Sequence, residues 1–250
     1  MDLKPPVLDL SIIVPVYNEA ANVADLHAHI LEAIHPLNKS FEIIVVDDAS
    51  TDTTLSQLKL LSPLIILCLQ AHYGQSCALD AGIKAARGKV IITMDGDGQN
   101  DPADIPLLLA KIDEGYEVVC GWRYKRHDPL SKRFVAAGAA LLRWVLVQDG
   151  VHDAGCSLRA CYRKCFDGLD IYGGLHRMIP AILRWRGFKM TEIKVRHHPR
   201  LRGTSKYKGW GRIFEGFRDM VYIWNWRKDP AKPLYAGKKE NYKIKEILNN

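Results

Sequence analysis

The chain has 250 residues, of which 48% are apolar and 25% charged, a globular composition that excludes a disordered or fibrous protein and suits one large α/β domain or two small ones. No apolar run approaches the roughly 20 residues of a membrane span, and the opening MDLKPPVLDL predicts no signal peptide. The net charge of +7 is divided: residues 1–120 carry 7 Lys/Arg against 17 Asp/Glu, and residues 121–250 carry 28 against 11.

The first 120 residues alternate strand and helix signals. SIIVPVY (11–17) reads as a buried strand, followed by a helix over about 19–34. FEIIVVD (41–47) is a second strand, with a helix starting near Thr53. LIILCLQ (64–70) is a third, before a helix over 74–86. VIITMD (90–95) is a fourth, before a helix with Asp101 as N-cap and Pro102 at N1. EVVCGW (117–122) is a fifth. Near-continuous β-branched runs separated by helices predict a mostly parallel sheet covered on both faces. The second half is less regular, with helices predicted over 131–147, 175–186 and 209–227 and strands over 155–162 and 189–196. One domain over 1–228 is expected, and then a polar, lysine-rich tail over 229–250, loosely ordered.

In such sheets ligands bind beyond the carboxyl ends of the strands. Three of those ends are polar here: Tyr17-Asn18-Glu19, Asp47-Asp48 and Asp95-Gly96-Asp97. Their carboxylates repel one another unless a cation or compensating donors stand between them. The strongest local signal is MDGDGQNDP (94–102), where Asp95 and Asp97, with Gln99 two residues on, can offer oxygen ligands to one hard divalent cation such as Mg²⁺ or Mn²⁺. An EF-hand would need Gly and Glu where Asn100 and Pro106 stand, and no GxGxxG or Walker loop occurs. Six cysteines at irregular spacings, without a CxxC pair, indicate neither a zinc site nor a disulfide scaffold and suit a reducing cytoplasm. The histidines, among them His72, His152, His176, His197 and His198, show no metal spacing tied to the strand ends and are assigned no chemistry.

Taken together, VPVYNE, VVDDAS.D, GQSCALDAGIKAARG, MDGDGQ.DP, GWRY, DAGCSLRACYR and HHPRLRGTSKY resemble a family 2 glycosyltransferase with the GT-A fold, a Rossmann-like, mostly parallel sheet. The narrower likeness, carried by GWRY and R.RG.SKY over about residues 9–225, is to the dolichol-phosphate mannosyltransferase group and its polyprenyl-phosphate relatives. That resemblance assigns Pro15, Tyr17 and Glu19 to the nucleotide site, Val46 and Asp48 to base and ribose, and Asp95, Asp97 and Gln99 to a metal bridging the donor diphosphate, with Gly96 inside the same motif. It sets Arg123 against phosphate and closes Arg200 and Lys206 over the donor from a loop. The family usually carries another residue where Gly96 and Gly98 stand, and some members carry C-terminal membrane helices.

The implied reaction is an inverting transfer of a sugar from a nucleotide-sugar to dolichyl or undecaprenyl phosphate. By resemblance alone the donor is GDP-mannose first and a UDP-sugar next. The basic half then has a use: Arg123, Lys132, Arg133, Arg200 and Lys206 can neutralise phosphates, and arginine suits bidentate contacts. Asp153 is read as a residue that shapes the site. The alternatives are a family 2 enzyme with a hydroxyl acceptor, for which Asp153 is the candidate base, and a non-catalytic nucleotide-sugar-binding protein. Nucleic acid is not an expected partner. In 209–227 a stripe through Ile213, Phe217, Met220, Val221 and Trp224, widened by Trp210, Phe214, Tyr222 and Trp226, predicts an interfacial helix. Arg212, Arg218, Arg227 and Lys228 would meet anionic lipid on the cytoplasmic face of a membrane. A core helix, with a separate membrane-protein partner delivering the enzyme, is the other reading.

Overall fold

A computed structural model describes residues 8–124, 147, 150–199, 211–227 and 242–250, with the side chains of 211–217 and 219 left aside. Along the chain run β1 (Leu8–Val16), α1 (Val23–Ile34), β2 (Phe41–Asp47), α2 (Thr54–Leu58), β3 (Ile65–Leu69), α3 (Gln75–Ala85), β4 (Gly88–Thr93), α4 (Ile105–Asp113), β5 (Val118–Trp122), β6 (Arg159–Tyr162), α5 (Ile179–Trp185), β7 (Met190–Lys194), α6 (Gly211–Trp226) and β8 (Ile244–Asn249). The helix predicted over 131–147 lies outside the described residues, apart from Val147.

The strands form one sheet in the order β7-β5-β6-β4-β1-β2-β3-β8. β1 is parallel to β2 and β4, β2 to β3, and β5 to β7, whereas β6 and β8 run antiparallel to their neighbours. The chain steps outward from β1 to β2 and β3, then returns to place β4 on the other side of β1. Strand order therefore reverses beside β1, and the reversal opens a crevice at the carboxyl ends of β1, β2 and β4.

Side chains alternate across the strands, and each face of the sheet has its own core. Leu10, Ile12, Val14 and Val16 of β1 pack with Val23, Leu26, Ile30 and Ile34 of α1, whose spacing puts them on one helical stripe. Ile13 faces the other way, with Ile44, Val46 and the small residues of α3. There α3 lies so close that a Cβ on Gly82 would stand 2.4 Å from Ile13 Cγ2, so only glycine permits this approach.

Two expectations change. The segment 229–250 is not all loose tail: Ile244–Asn249 pairs antiparallel with β3 and covers its edge, because Ile247 and Leu248 supply the strand propensity that the lysines obscure in the composition. α6 is partly a core helix: Met220, Ile223 and Trp226 are buried in the α3-side core, and Trp226 lies against Trp185 of α5. Trp224, Arg218 and Arg227 stay exposed. Among the described residues no helix is long and apolar enough to cross a membrane.

Candidate active site

The loops after β1 and β2 are sewn together. Asn18 adopts φ +53°, and its Oδ1 accepts from the Thr51 and Asp52 amides at 2.7 and 3.3 Å. Glu19 is buried; its amide donates to Thr54 Oγ1 at 2.8 Å, and its carboxylate accepts from Asn22 Nδ2 at 2.6 Å. Asp48 turns toward the loop after β3, where it accepts from the amides of Tyr73 and Gly74, each at 2.8 Å, and pairs with His72 Nδ1 at 2.8 Å. His72 in turn stacks on Tyr17 with ring centroids 3.9 Å apart and planes 24° apart. Tyr17, Asp48 and His72 thus form one flat, polar-edged platform beside the crevice. Burial pushes the Asp48 carboxyl above its ordinary range, partly offset by these donors. Val46 stands elsewhere: its side chain is fully buried under α3 and does not reach the platform surface.

The Asp95–Asp97 turn sits at the end of β4. Gly96 is there for packing, since a Cβ would come within 2.5 Å of Val16 Cγ1 and 3.1 Å of the Pro15 carbonyl. Asn100 braces the turn, its Oδ1 accepting from the Asp95 amide at 3.1 Å and from Ser157 Oγ at 2.8 Å. Gln75, at the start of α3, donates to Asp95 Oδ1 at 2.6 Å. Burial and then the charge of Asp97 push the Asp95 carboxyl up; Ser157, Arg123 and Arg159 pull it back. Two carboxylates forced together on one turn form an oxygen donor set whose repulsion a hard dication relieves, so these residues fit Mg²⁺ or Mn²⁺. Gln99 directs Nε2 toward the His198 carbonyl at 3.3 Å and His197 Nε2 at 3.5 Å. Among the described residues no cluster of three or more His, Cys, Asp or Glu is placed to hold a metal ion.

On the far side of the crevice Arg123 forks onto Asp153, with Nε at 2.7 Å from Oδ2 and Nη2 at 2.9 Å from Oδ1. Burial works against the guanidinium charge, but Asp153 outweighs it and Arg123 holds its proton more tightly than usual. Cys156, fully buried nearby, is pushed up to about 11 and stays a thiol. Behind this pair lies Arg159, only 4% exposed, its Nη1 donating to the His176 carbonyl at 3.0 Å and Nη2 to the Ala154 carbonyl at 2.7 Å. Lys132, Arg133, Arg200 and Lys206 lie outside the described residues.

Motif reading singled out Ser157 beside Asp153 but gave no role to His72, Gln75, Asn100 or Arg159. The signal for His72 was available: AHYG follows a buried strand, and that strand end was left out of the converging set.

Residues 11–169 match the model of glycosyl transferase family 2. The dodecaprenyl-phosphate galacturonate synthase of Rhizobium johnstonii is 35% identical over 235 residues, which is 90% of this chain and 69% of that protein. The undecaprenyl-phosphate 4-deoxy-4-formamido-L-arabinose transferase of Salmonella choleraesuis is 34% identical over 81% of this chain, which spans only 63% of its length. Among solved structures, glucosyl-3-phosphoglycerate synthase from Mycobacterium tuberculosis with Mn²⁺, UDP and glucosyl-3-phosphoglycerate superposes with TM-score 0.64 at 18% identity, over 88% of this chain and 80% of that one. Mannosyl-3-phosphoglycerate synthase from Rubrobacter xylanophilus gives 0.66 at 13% identity over 97% and 87%. These likenesses show the GT-A fold that the motifs led us to expect. By the family match and the extent of these relatives, the chain belongs to glycosyl transferase family 2.

Proposed function

We propose that this protein is a metal-dependent, inverting glycosyltransferase that moves a sugar from a nucleotide-sugar to a polyprenyl phosphate at the cytoplasmic face of a membrane. The observation that carries the acceptor class is the state of Asp153. Both its carboxylate oxygens are engaged by Arg123, and a carboxylate so paired is a poor proton acceptor. A hydroxyl acceptor needs a base there. A phosphate monoester, with a second pKa of about 6, is already an anionic nucleophile and needs only orientation and charge neutralisation. The polyprenyl-phosphate names of the Rhizobium and Salmonella relatives support the same class.

In this reading Tyr17, Asp48 and His72 hold the nucleoside, with Pro15 and Glu19 shaping its loop and Arg200 and Lys206 covering the donor. Asp95 and Asp97, with Gln99, would hold Mg²⁺ or Mn²⁺, which would supply Lewis-acid stabilisation of the leaving diphosphate; the mycobacterial synthase has been solved with Mn²⁺ and with Mg²⁺. Arg123, oriented by Asp153 and assisted by Lys132 and Arg133, aims an acceptor phosphate oxygen at the anomeric carbon. The new C–O bond forms as the bond to the diphosphate breaks, with inversion. Mannose from GDP-mannose, the first expectation by resemblance, has no counterpart in the Rhizobium and Salmonella relatives, which are named for galacturonate and a formamido-arabinose. The mycobacterial synthase has been solved with UDP.

Incubation of the pure protein with Mn²⁺, a panel of GDP- and UDP-sugars, and undecaprenyl phosphate beside undecaprenol tests the reading. We expect product from the phosphate alone. Transfer to the alcohol overturns the acceptor class.

A further inference from the structure

Arg159 is a charged group whose bonding is unusual for its depth. It is 4% exposed, its hydrogen bonds run to two backbone carbonyls, and its Nε has no hydrogen-bond partner. A guanidinium keeps its charge in a protein, and burying one without a paired carboxylate is expensive. Two carbonyls of neighbouring loops could be held together more cheaply by apolar packing. A burden of this kind points to a task in the site rather than to stability.

The two carbonyls locate that task. Ala154 follows Asp153, which fixes Arg123 on the acceptor side. His176 belongs to the loop entering α5, and its ring Nδ1 lies 2.7 Å from Ser76 Oγ, which also bonds the Gly173 carbonyl. Ser76 is next to Gln75, whose amide holds Asp95 at 2.6 Å. Arg159 is therefore the link in a continuous series: Arg123, Asp153, Ala154, Arg159, His176, Ser76, Gln75, Asp95. One end presents the proposed acceptor-phosphate ligand and the other a proposed metal ligand of the donor side.

We propose that Arg159 is a positioning residue that sets the distance between the acceptor-side Arg123 and the donor-side Asp95, so that the two bound substrates meet in line. This rests on the transfer reading above, though not on which acceptor is used. Arg159 is 4% exposed and its two Nη atoms are taken up by backbone carbonyls, so its replacement by another cation should leave binding intact and spoil alignment, and displacements of about 1 Å between reacting groups cost on the order of 100-fold in rate.

The test uses the full chain with Arg159→Lys, which keeps the charge but cannot bridge both carbonyls, and Ser76→Ala, which cuts the same series without touching the buried charge. With the best donor and acceptor of the wild-type enzyme, we expect turnover to fall on the order of 100-fold for Arg159→Lys and about 10-fold for Ser76→Ala. Nucleoside diphosphate binding, read by calorimetry with Mn²⁺, should stay within about 3-fold, since no ligand contact is removed. Hydrolysis of the donor by water should rise relative to transfer, because a misaligned acceptor no longer outcompetes water. A purely structural role predicts a different pattern, with nucleotide affinity, turnover and melting temperature falling together and the hydrolysis-to-transfer ratio unchanged. That pattern, or unchanged turnover in both variants, overturns the proposal. Transfer by wild type to a hydroxyl acceptor sinks the phosphate reading instead, and the ratio measured with that acceptor still decides on Arg159.

Discussion

Asp97→Asn keeps the volume of the side chain and removes one anionic oxygen from the turn after β4. Transfer should drop at least about 100-fold while the circular dichroism spectrum is retained, and chelation of divalent cations should do the same to the wild type. Unchanged turnover in either experiment would remove the metal from the reaction. Arg123→Lys keeps a charge but not the fork on Asp153; we expect turnover to fall about 10- to 100-fold with little change in nucleotide binding. Asp153→Ala leaves the guanidinium buried without its carboxylate and should destabilise the fold by about 3 kcal/mol, read by urea unfolding. Asp48 governs a pH effect. Burial raises its carboxyl above the ordinary value, against the donors from Tyr73, Gly74 and His72. The native state then keeps a proton that the unfolded chain releases, so the stability it contributes is complete below about pH 4 and is lost as pH rises through the raised value. Asp48→Asn should shrink the difference in urea midpoint between pH 4 and pH 7. An unchanged difference would assign the effect to other groups. The carboxylates of the site were legible because strand ends punctuate the apolar runs. The place of His72 after the third strand was legible, but its stack on Tyr17 was not, because two loops build it; Arg159 sits inside a strand pattern where its chain neighbours are apolar.

The helices and strands of the first half could be read with little error, since each lies between turn signals and each strand is buried on both faces. In the second half the strands expected over 155–162 and 189–196 and the helices over 175–186 and 209–227 contain β6, β7, α5 and α6, whereas β8 was missed because its partner β3 lies far off in sequence and lysines mask its apolar residues. α6 shows why an apolar stripe does not say what it faces. The aromatic residues suggested one interfacial surface, yet the helix splits them: Trp226 goes to the core with Trp185, while Trp224 is 38% exposed. Trp226→Ala should therefore cost about 3–5 kcal/mol of stability by urea unfolding. Trp224→Ala should cost less than about 0.5 kcal/mol and, if this face meets lipid, weaken sedimentation with anionic liposomes. Equal stability losses in both variants would contradict this assignment of faces. The polar staple at the start of β8 makes a further case. Asp80 is buried and accepts from Tyr242 Oη at 2.9 Å, the Ile171 amide at 2.8 Å and Lys84 at 2.6 Å. Tyr242→Phe leaves this carboxylate one donor short and should lower stability by about 1–2 kcal/mol.

At the scale of the molecule, an excess of Asp/Glu in residues 1–120 and of Lys/Arg in residues 121–250 is the division that the proposed reaction between two phosphorylated substrates calls for. Several exposed cations, each contributing roughly 1 kcal/mol near an anionic surface, should make the protein sediment with anionic liposomes at low salt and release at high salt. Failure to sediment at low salt would leave delivery to a membrane partner. The antiparallel return of β8 also fixes a direction. The strand starts beside Gln70, near the donor platform, and runs to Asn250, whose amide and carbonyl bond Leu64 at the opposite end of β3. A tether attached after Asn250 therefore leaves from the side of the sheet remote from the crevice. Held that way on a sensor chip or bead, the enzyme would hang with its reactive mouth outward, free to sample vesicles offered in flow.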